Sequence, residues 1–151
     1  MNLEISIDDR DWRSVPDLRK LARRAVAAAL PDQNVSLSLL FTGDARILEI
    51  NRQWRGKAAP TNVLSFPVAA GTPVPSGVPR PLGDIVLAYG VVSREALEQG
   101  KPIAHHVMHL IVHGVLHLLG YDHEKDAEAE AMETREIAVL AGLGMGNPYT
   151  R

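Results

Sequence analysis

All six histidines of the chain fall between residues 105 and 123. Three of them, His113, His117 and His123, form the pattern H-x-x-x-H-x-x-G-x-x-H with Gly120 between the last two. Residues four apart project from one face of an α-helix a turn apart, so the imidazoles of His113 and His117 can reach a single ion. Gly120 can adopt the left-handed backbone that ends a helix, turning the chain so that His123 approaches the same point. Three neutral imidazoles with a fourth position left for water make the ligand set of a catalytic zinc site rather than a closed structural one. The spacing therefore points to one Zn2+ held by His113, His117 and His123.

A lone histidine on such a helix is ordinarily hydrogen-bonded in the core and binds nothing; three at this spacing favour a metal. His109, one turn before His113, is a candidate for lining the same cleft, touching substrate or supporting a ligand from behind. His105 and His106 are weaker candidates, and a solvent-facing or capping place near Pro102 serves His105 equally well. Metzincin peptidases share the three-ligand pattern but carry Glu directly after the first histidine as general base, where this chain has Gly114. A water activated by zinc survives that loss, because the metal lowers its pKa toward about 7. Peptide hydrolysis also needs a proton for a poor amine leaving group, and no acid stands at the usual place. The balance moves toward phosphodiester hydrolysis, in which a metal and a cation can carry most of the charge stabilisation.

The elements that must hold these residues follow from pattern. Leu3 to Asp8 alternates as a half-buried strand, and Pro16 suits the first turn of a helix to about Leu30 with Leu18, Leu21, Ala22, Ala25 and Ala29 inward. Val35 to Phe41 reads as a second strand, and Asp44 as the N-cap of a helix through about Trp54. A polar turn, 55–60, leads to a strand at 61–66. A Gly- and Pro-rich loop spans 69–81, long enough to suit a functional or mobile segment. A strand at 84–89, a short helix from the neighbourhood of Ser93 to Gly100, the histidine helix from Pro102 to about Leu119 and an acidic helix from about Glu124 to Leu140 complete the chain. The expected class is α+β in one domain, 1–151: a small mixed four-stranded sheet covered by helices. The histidine helix, apolar almost all round, is expected to be central and buried.

Composition bounds the partners. The chain has 151 residues, 46% hydrophobic, with a net charge of −2, so nothing global announces nucleic acid. Residues 1–101 carry 13 Lys+Arg against 11 Asp+Glu, and residues 102–151 carry 3 against 7, a split that a solvated acidic helix explains. There is no cysteine, which excludes disulfides, iron–sulfur clusters and thiolate zinc sites. The N-terminus has neither a basic start nor an apolar core, and no apolar run approaches the roughly 20 residues that span a bilayer. A cytoplasmic protein without membrane contact is the expectation.

Three blocks in order, Thr61-Asn-Val-Leu-Ser-Phe-Pro67, Leu82-Gly-Asp-Ile85 and the histidine block, resemble the YbeY family of bacterial rRNA maturation factors, from about Asn51 to the C-terminus. The resemblance implies a zinc-dependent, single-strand-specific endoribonuclease acting in 16S rRNA 3′-end maturation and ribosome quality control. Its partners would be rRNA, the small ribosomal subunit and associated assembly factors, with no DNA expected. It maps the metal ligands to His113, His117 and His123, and a functional arginine upstream of the T-[DN]-V-L-S-F block to Arg55. Many members have Asp where this chain has Asn62, which argues against catalytic charge from Asn62. A guanidinium at Arg55 can clamp two non-bridging phosphate oxygens, and Arg52 and Lys57 can track an RNA backbone. Asp84 is a candidate for orienting a ligand histidine through its second ring nitrogen, or for capping local backbone. Asp122 is a candidate for setting the turn before His123, and Ser65 and Asn62 for bonding nucleotide or backbone. Two other readings stand beside this one: an RNA- or ribosome-binding assembly factor whose zinc is structural, and a divergent metallopeptidase.

Overall fold

The computed structural model describes residues 1–69 and 71–149. Ala70, in the loop expected at 69–81, and Thr150 and Arg151, at the end of the domain expected over 1–151, lie outside them. The elements run β1 (Asn2–Ile7), a short 3₁₀ helix (Arg10–Ser14), α1 (Leu18–Ala29), β2 (Val35–Thr42), α2 (Asp44–Arg55), β3 (Val63–Pro67), β4 (Arg80–Ala88), α3 (Tyr89–Glu98), α4 (Ile103–Leu118) and α5 (Asp126–Gly142). The strands form one sheet in the order β1-β2-β4-β3, parallel except for β3, which runs antiparallel to β4 at the edge. This is the expected α+β class with a mixed four-stranded sheet.

Side-chain parity decides what each face of the sheet meets. Leu37, Leu39, Phe41, Ile85 and Leu87 join α1 and α4 in the main core, and Leu64, Val86 and Ala88 pack with Ile47 of α2 in a smaller cluster on the other face. α4 packs against α1, α3, α5, β3 and β4. Its buried residues include Val107, Met108, Leu110, Ile111, Val112, Val115, Leu116 and Leu118, so the histidine helix is central as expected. At Gly114 it lies directly on the sheet. A Cβ there would stand 3.1 Å from side-chain carbons of Ile85 and 3.2 Å from Ser65 Oγ, which is why the metzincin glutamate has no room at this position.

Several boundaries differ from the sequence reading for identifiable reasons. Trp12 is fully buried, its Nε1 donating to Thr42 O at 2.8 Å, so the chain needs a 3₁₀ turn before α1, which starts at Leu18 rather than Pro16. Asp44 does not cap its own helix. Gly43 holds that position, and the Asp44 carboxylate instead accepts from Val91 N in the first turn of α3 (3.0 Å) and from Arg94 (2.9 Å). Strand β4 begins at Arg80, four residues early, because Arg80 and Pro81 pair with Val35 and Ser36 across a register shift where proline's missing N–H is tolerated. Tyr89 ends no strand; it opens α3, with its hydroxyl 2.7 Å from Ser14 Oγ.

Candidate metal centre

The end of α4 builds two of the three ligands. Gly120, at φ +101, takes the backbone region that favours glycine. Its N–H donates to His117 O, and Tyr121 N–H to Leu116 O, both at 3.0 Å, the paired bonds of a Schellman cap. The same turn places Tyr121 O 3.0 Å from His117 Nδ1. Asp122 Oδ1 then accepts from His123 N at 2.7 Å, setting the turn as expected. One ring nitrogen from each of His113, His117 and His123 lies within 4.8 Å of the others.

Hydrogen bonding fixes which nitrogens those are. His113 Nδ1 donates to Glu136 Oε1, and His117 Nδ1 donates to the Tyr121 carbonyl; both partners accept only. Each neutral ring therefore carries its lone pair on Nε2, and these two Nε2 atoms stand 3.0 Å apart. Two lone pairs at that distance repel unless a cation, a metal ion or a proton, lies between them. Two nitrogens bound to one zinc at 2.0–2.1 Å in tetrahedral geometry sit about 3.3 Å apart. The donor set fits a zinc-type ion, and burial together with the neighbouring His113 pushes the His117 pKa down, keeping its ring in the neutral form that ligates.

Glu136 is the residue the sequence reading missed. It is 0% exposed and accepts from His113 Nδ1 and Tyr149 Oη, and from His109 Nε2 at 3.2 Å. Burial raises its pKa, but the bonds from His109, His113 and Tyr149 outweigh that and hold it at about 2. The tail's charge is thus not wholly a solvated face: Glu136 shares the buried side of α5 with Met132, Val139 and Leu140. That placement of a carboxylate among apolar residues at helical spacing was the available signal.

The remaining candidates divide. His109 stands behind His113 through Glu136, outside the three-histidine group. His105 is exposed, and His106 is 3% exposed with Nε2 2.8 Å from Glu95 Oε1. Asp84 orients no histidine. It pairs in register with Phe66, so parity sends it to the α2 face, away from α4, where it accepts from Ser38 Oγ. The second-nitrogen partner expected of Asp84 is Glu136 for His113 and a backbone carbonyl for His117. Asn62 donates to Glu95 Oε1 at 2.9 Å and accepts from Val63 N at 2.6 Å, so its amide fastens the approach to β3. Arg52 pairs with Glu49 at 2.5 Å, and Lys57 is exposed.

Arg55 is placed differently from its neighbours. Its Nη2 donates to Ser65 O at 2.6 Å and its guanidinium lies 5.2 Å from the Phe66 ring centroid. Ser65 Oγ in turn lies 3.5 Å from Gly114 O, beside His113. Arg55 is thus anchored on the strand that abuts the histidine helix. Among the described residues no carboxylate pairs with it, in contrast to Arg46, Arg52 and Arg94. A cation held in place without a counter-charge is suited to an anionic ligand.

Comparison with known proteins finds relatives over nearly the whole chain. The family model described as Endoribonuclease YbeY matches residues 4–144. Proteins named Endoribonuclease YbeY are 47% identical in Azorhizobium caulinodans, over 99% of this chain and 96% of the relative, and 49% identical in a Chelativorans species, over 97% and 92%. The solution structure of TM1509 from Thermotoga maritima shares the fold, with a TM-score of 0.56 at 23% identity over 99% of both chains. Matched by the family model over residues 4–144 and by relatives at 47% and 49% identity over nearly its whole length, the chain belongs to the YbeY endoribonuclease family.

Proposed function

We propose that this protein is a zinc-dependent endoribonuclease that cleaves single-stranded RNA, acting on 16S rRNA at its 3′ end and in ribosome quality control in the cytoplasm. The small ribosomal subunit and its assembly factors are the partners this reading implies. The observation that carries the catalytic part is the approach of His113 Nε2 and His117 Nε2 to 3.0 Å with a His123 ring nitrogen close by; Arg55, which no carboxylate pairs among the described residues, is anchored on the strand that packs against the histidine helix. The relatives' shared name supplies the RNA substrate class.

A zinc ion, when bound, would be held by His113, His117 and His123 and would supply Lewis acidity for a phosphoryl oxygen or for water. Arg55 binds the phosphodiester and offsets the negative charge that grows on its non-bridging oxygens, with Ser65 O and Phe66 keeping the guanidinium in place beforehand. Gly114 leaves no side-chain base next to His113, which suits phosphodiester cleavage better than peptide hydrolysis. The test is cleavage of single-stranded RNA by highly purified protein. His113→Ala and His117→Ala are expected to lose both metal and cleavage; Arg55→Ala and Arg55→Glu are expected to keep the metal and lose cleavage. Cleavage unchanged in the Arg55 variants would point to a contaminating nuclease and to a binding factor whose metal is structural.

A further inference from the structure

Glu136 is a buried charge that the cleavage scheme does not use. It lies on the apolar side of α5 with Met132, Val139 and Leu140 and has no surface exposure, a place where carboxylates persist only with strong partners. Its three partners come from two other segments: His113 of α4 on Oε1, and His109 of α4 together with Tyr149 of the C-terminal segment on Oε2.

A neutral imidazole exists as two tautomers, and only the Nδ1–H form leaves Nε2 free to bind a metal. For His117 the choice is made by a backbone carbonyl, Tyr121 O, which no side-chain substitution removes. For His123 no hydrogen bond to a ring nitrogen is present among the described residues. For His113 the choice rests on one side chain supplied by another helix. The His109 bond has the matching polarity: its Nε2 donates to the carboxylate, and its buried Nδ1 has no hydrogen-bond partner among the described residues.

We propose that Glu136 is a positioning residue for the metal centre: it holds His113 in the Nδ1–H tautomer with Nε2 aimed at the point shared with His117 and His123. His109 and Tyr149 anchor the carboxylate by its other oxygen. This rests on the reading of His113 as a metal ligand. A rival role is purely architectural, with Glu136 tying α4, α5 and the C-terminal segment together and leaving the ligand ring indifferent.

The two roles separate on the metal-free protein. Long-range proton–nitrogen spectra of 15N-histidine-labelled wild type and Glu136→Gln report the His113 tautomer; chelator competition gives the zinc Kd of each, and thermal unfolding without metal checks the fold. The expected result is a single Nδ1–H tautomer for His113 in the wild type. In a folded Glu136→Gln protein the tautomers are mixed and zinc binds 10–100-fold more weakly, the usual loss when a ligand histidine's partner is removed. Tyr149→Phe, which spares the His113 bond, is expected to keep the tautomer and most of the zinc affinity. A wild-type His113 protonated on Nε2 overturns the proposal, as does a folded Glu136→Gln protein with unchanged tautomer and zinc Kd. Should the glutamine variant fail to fold, the wild-type His113 tautomer decides: Nδ1–H alone supports the proposal, and a mixture overturns it. A wild type that keeps the Nδ1–H tautomer yet binds no zinc counts against the metal reading and in favour of Glu136 as the group that orients the ring.

Discussion

Arg55 and the histidines have separable tasks, and single substitutions should divide them. Removing an imidazole deletes a ligand, whereas removing the guanidinium deletes charge stabilisation while leaving the three nitrogens in place. Loss of one group aimed at developing charge commonly costs 10²–10³-fold in rate. Arg55→Ala should therefore cut cleavage by about that factor in a single-turnover assay while elemental analysis still finds one zinc per chain. The three ligands were readable because helix geometry makes the i, i+4 spacing meaningful by itself, and Gly120 marks the turn. Arg55 was readable only through the motif that follows it. Nothing local distinguishes it from Arg52 three residues earlier, whose guanidinium pairs with Glu49. Asp84 illustrates the opposite failure: Ile85, Val86, Leu87 and Ala88 are all buried, so the strand shows no alternation and its parity could not be read from the sequence.

At the level of elements, the packing of α4 on the sheet and the cap at its end determine whether the ligands meet. Gly114→Ala puts a Cβ 3.1 Å from Ile85; an overpacking cost of about 1–3 kcal/mol set against the roughly 1 kcal/mol alanine gains over glycine inside a helix gives an expected net loss of up to about 2 kcal/mol by urea unfolding. Gly114→Glu restores the metzincin motif on paper. It is expected to fold poorly and to digest no casein, since the added side chain points into the sheet rather than toward the metal centre. The strongly periodic elements, α1 and α4, were legible from apolar spacing, and their inward faces agree with the sequence reading apart from a residue or two. The start of β4 and the true role of Asp44 were not. Both depend on a neighbour distant in sequence, Val35 and Ser36 for the strand and Val91 for the carboxylate. Glu136 was hidden for a related reason, because the many exposed acids of α5 mask the one that points inward.

For the molecule as a whole, the centre joins α4, the turn after it and α5, so metal binding and global stability are linked. Free zinc at 100 times its Kd should add about 2.7 kcal/mol to wild-type stability, and a chelator should reverse the rise in Tm. His123→Ala should respond far less. A second dependence comes from His106, two helical turns before His113: burial lowers its pKa below the usual histidine value of 6.5, despite the opposing hydrogen bond to Glu95. The unfolded chain thus binds the proton more readily than the folded one, so this stability is present above pH 6.5 and is lost as pH falls below it. Urea unfolding of wild type should show that acid-side loss, and His106→Leu should flatten it. No helix among the described residues is long and apolar enough to cross a membrane, and the fold class was legible from element order alone. The meeting of α4, α5 and the C-terminal segment at Glu136 was not, because it depends on tertiary packing. The most direct test of the metal centre is anomalous diffraction at the zinc edge from crystals grown with zinc. The expected map has one peak bound by His113 Nε2, His117 Nε2 and a ring nitrogen of His123, with no fourth protein ligand. A peak elsewhere, or a side chain closing the fourth position, would contradict it.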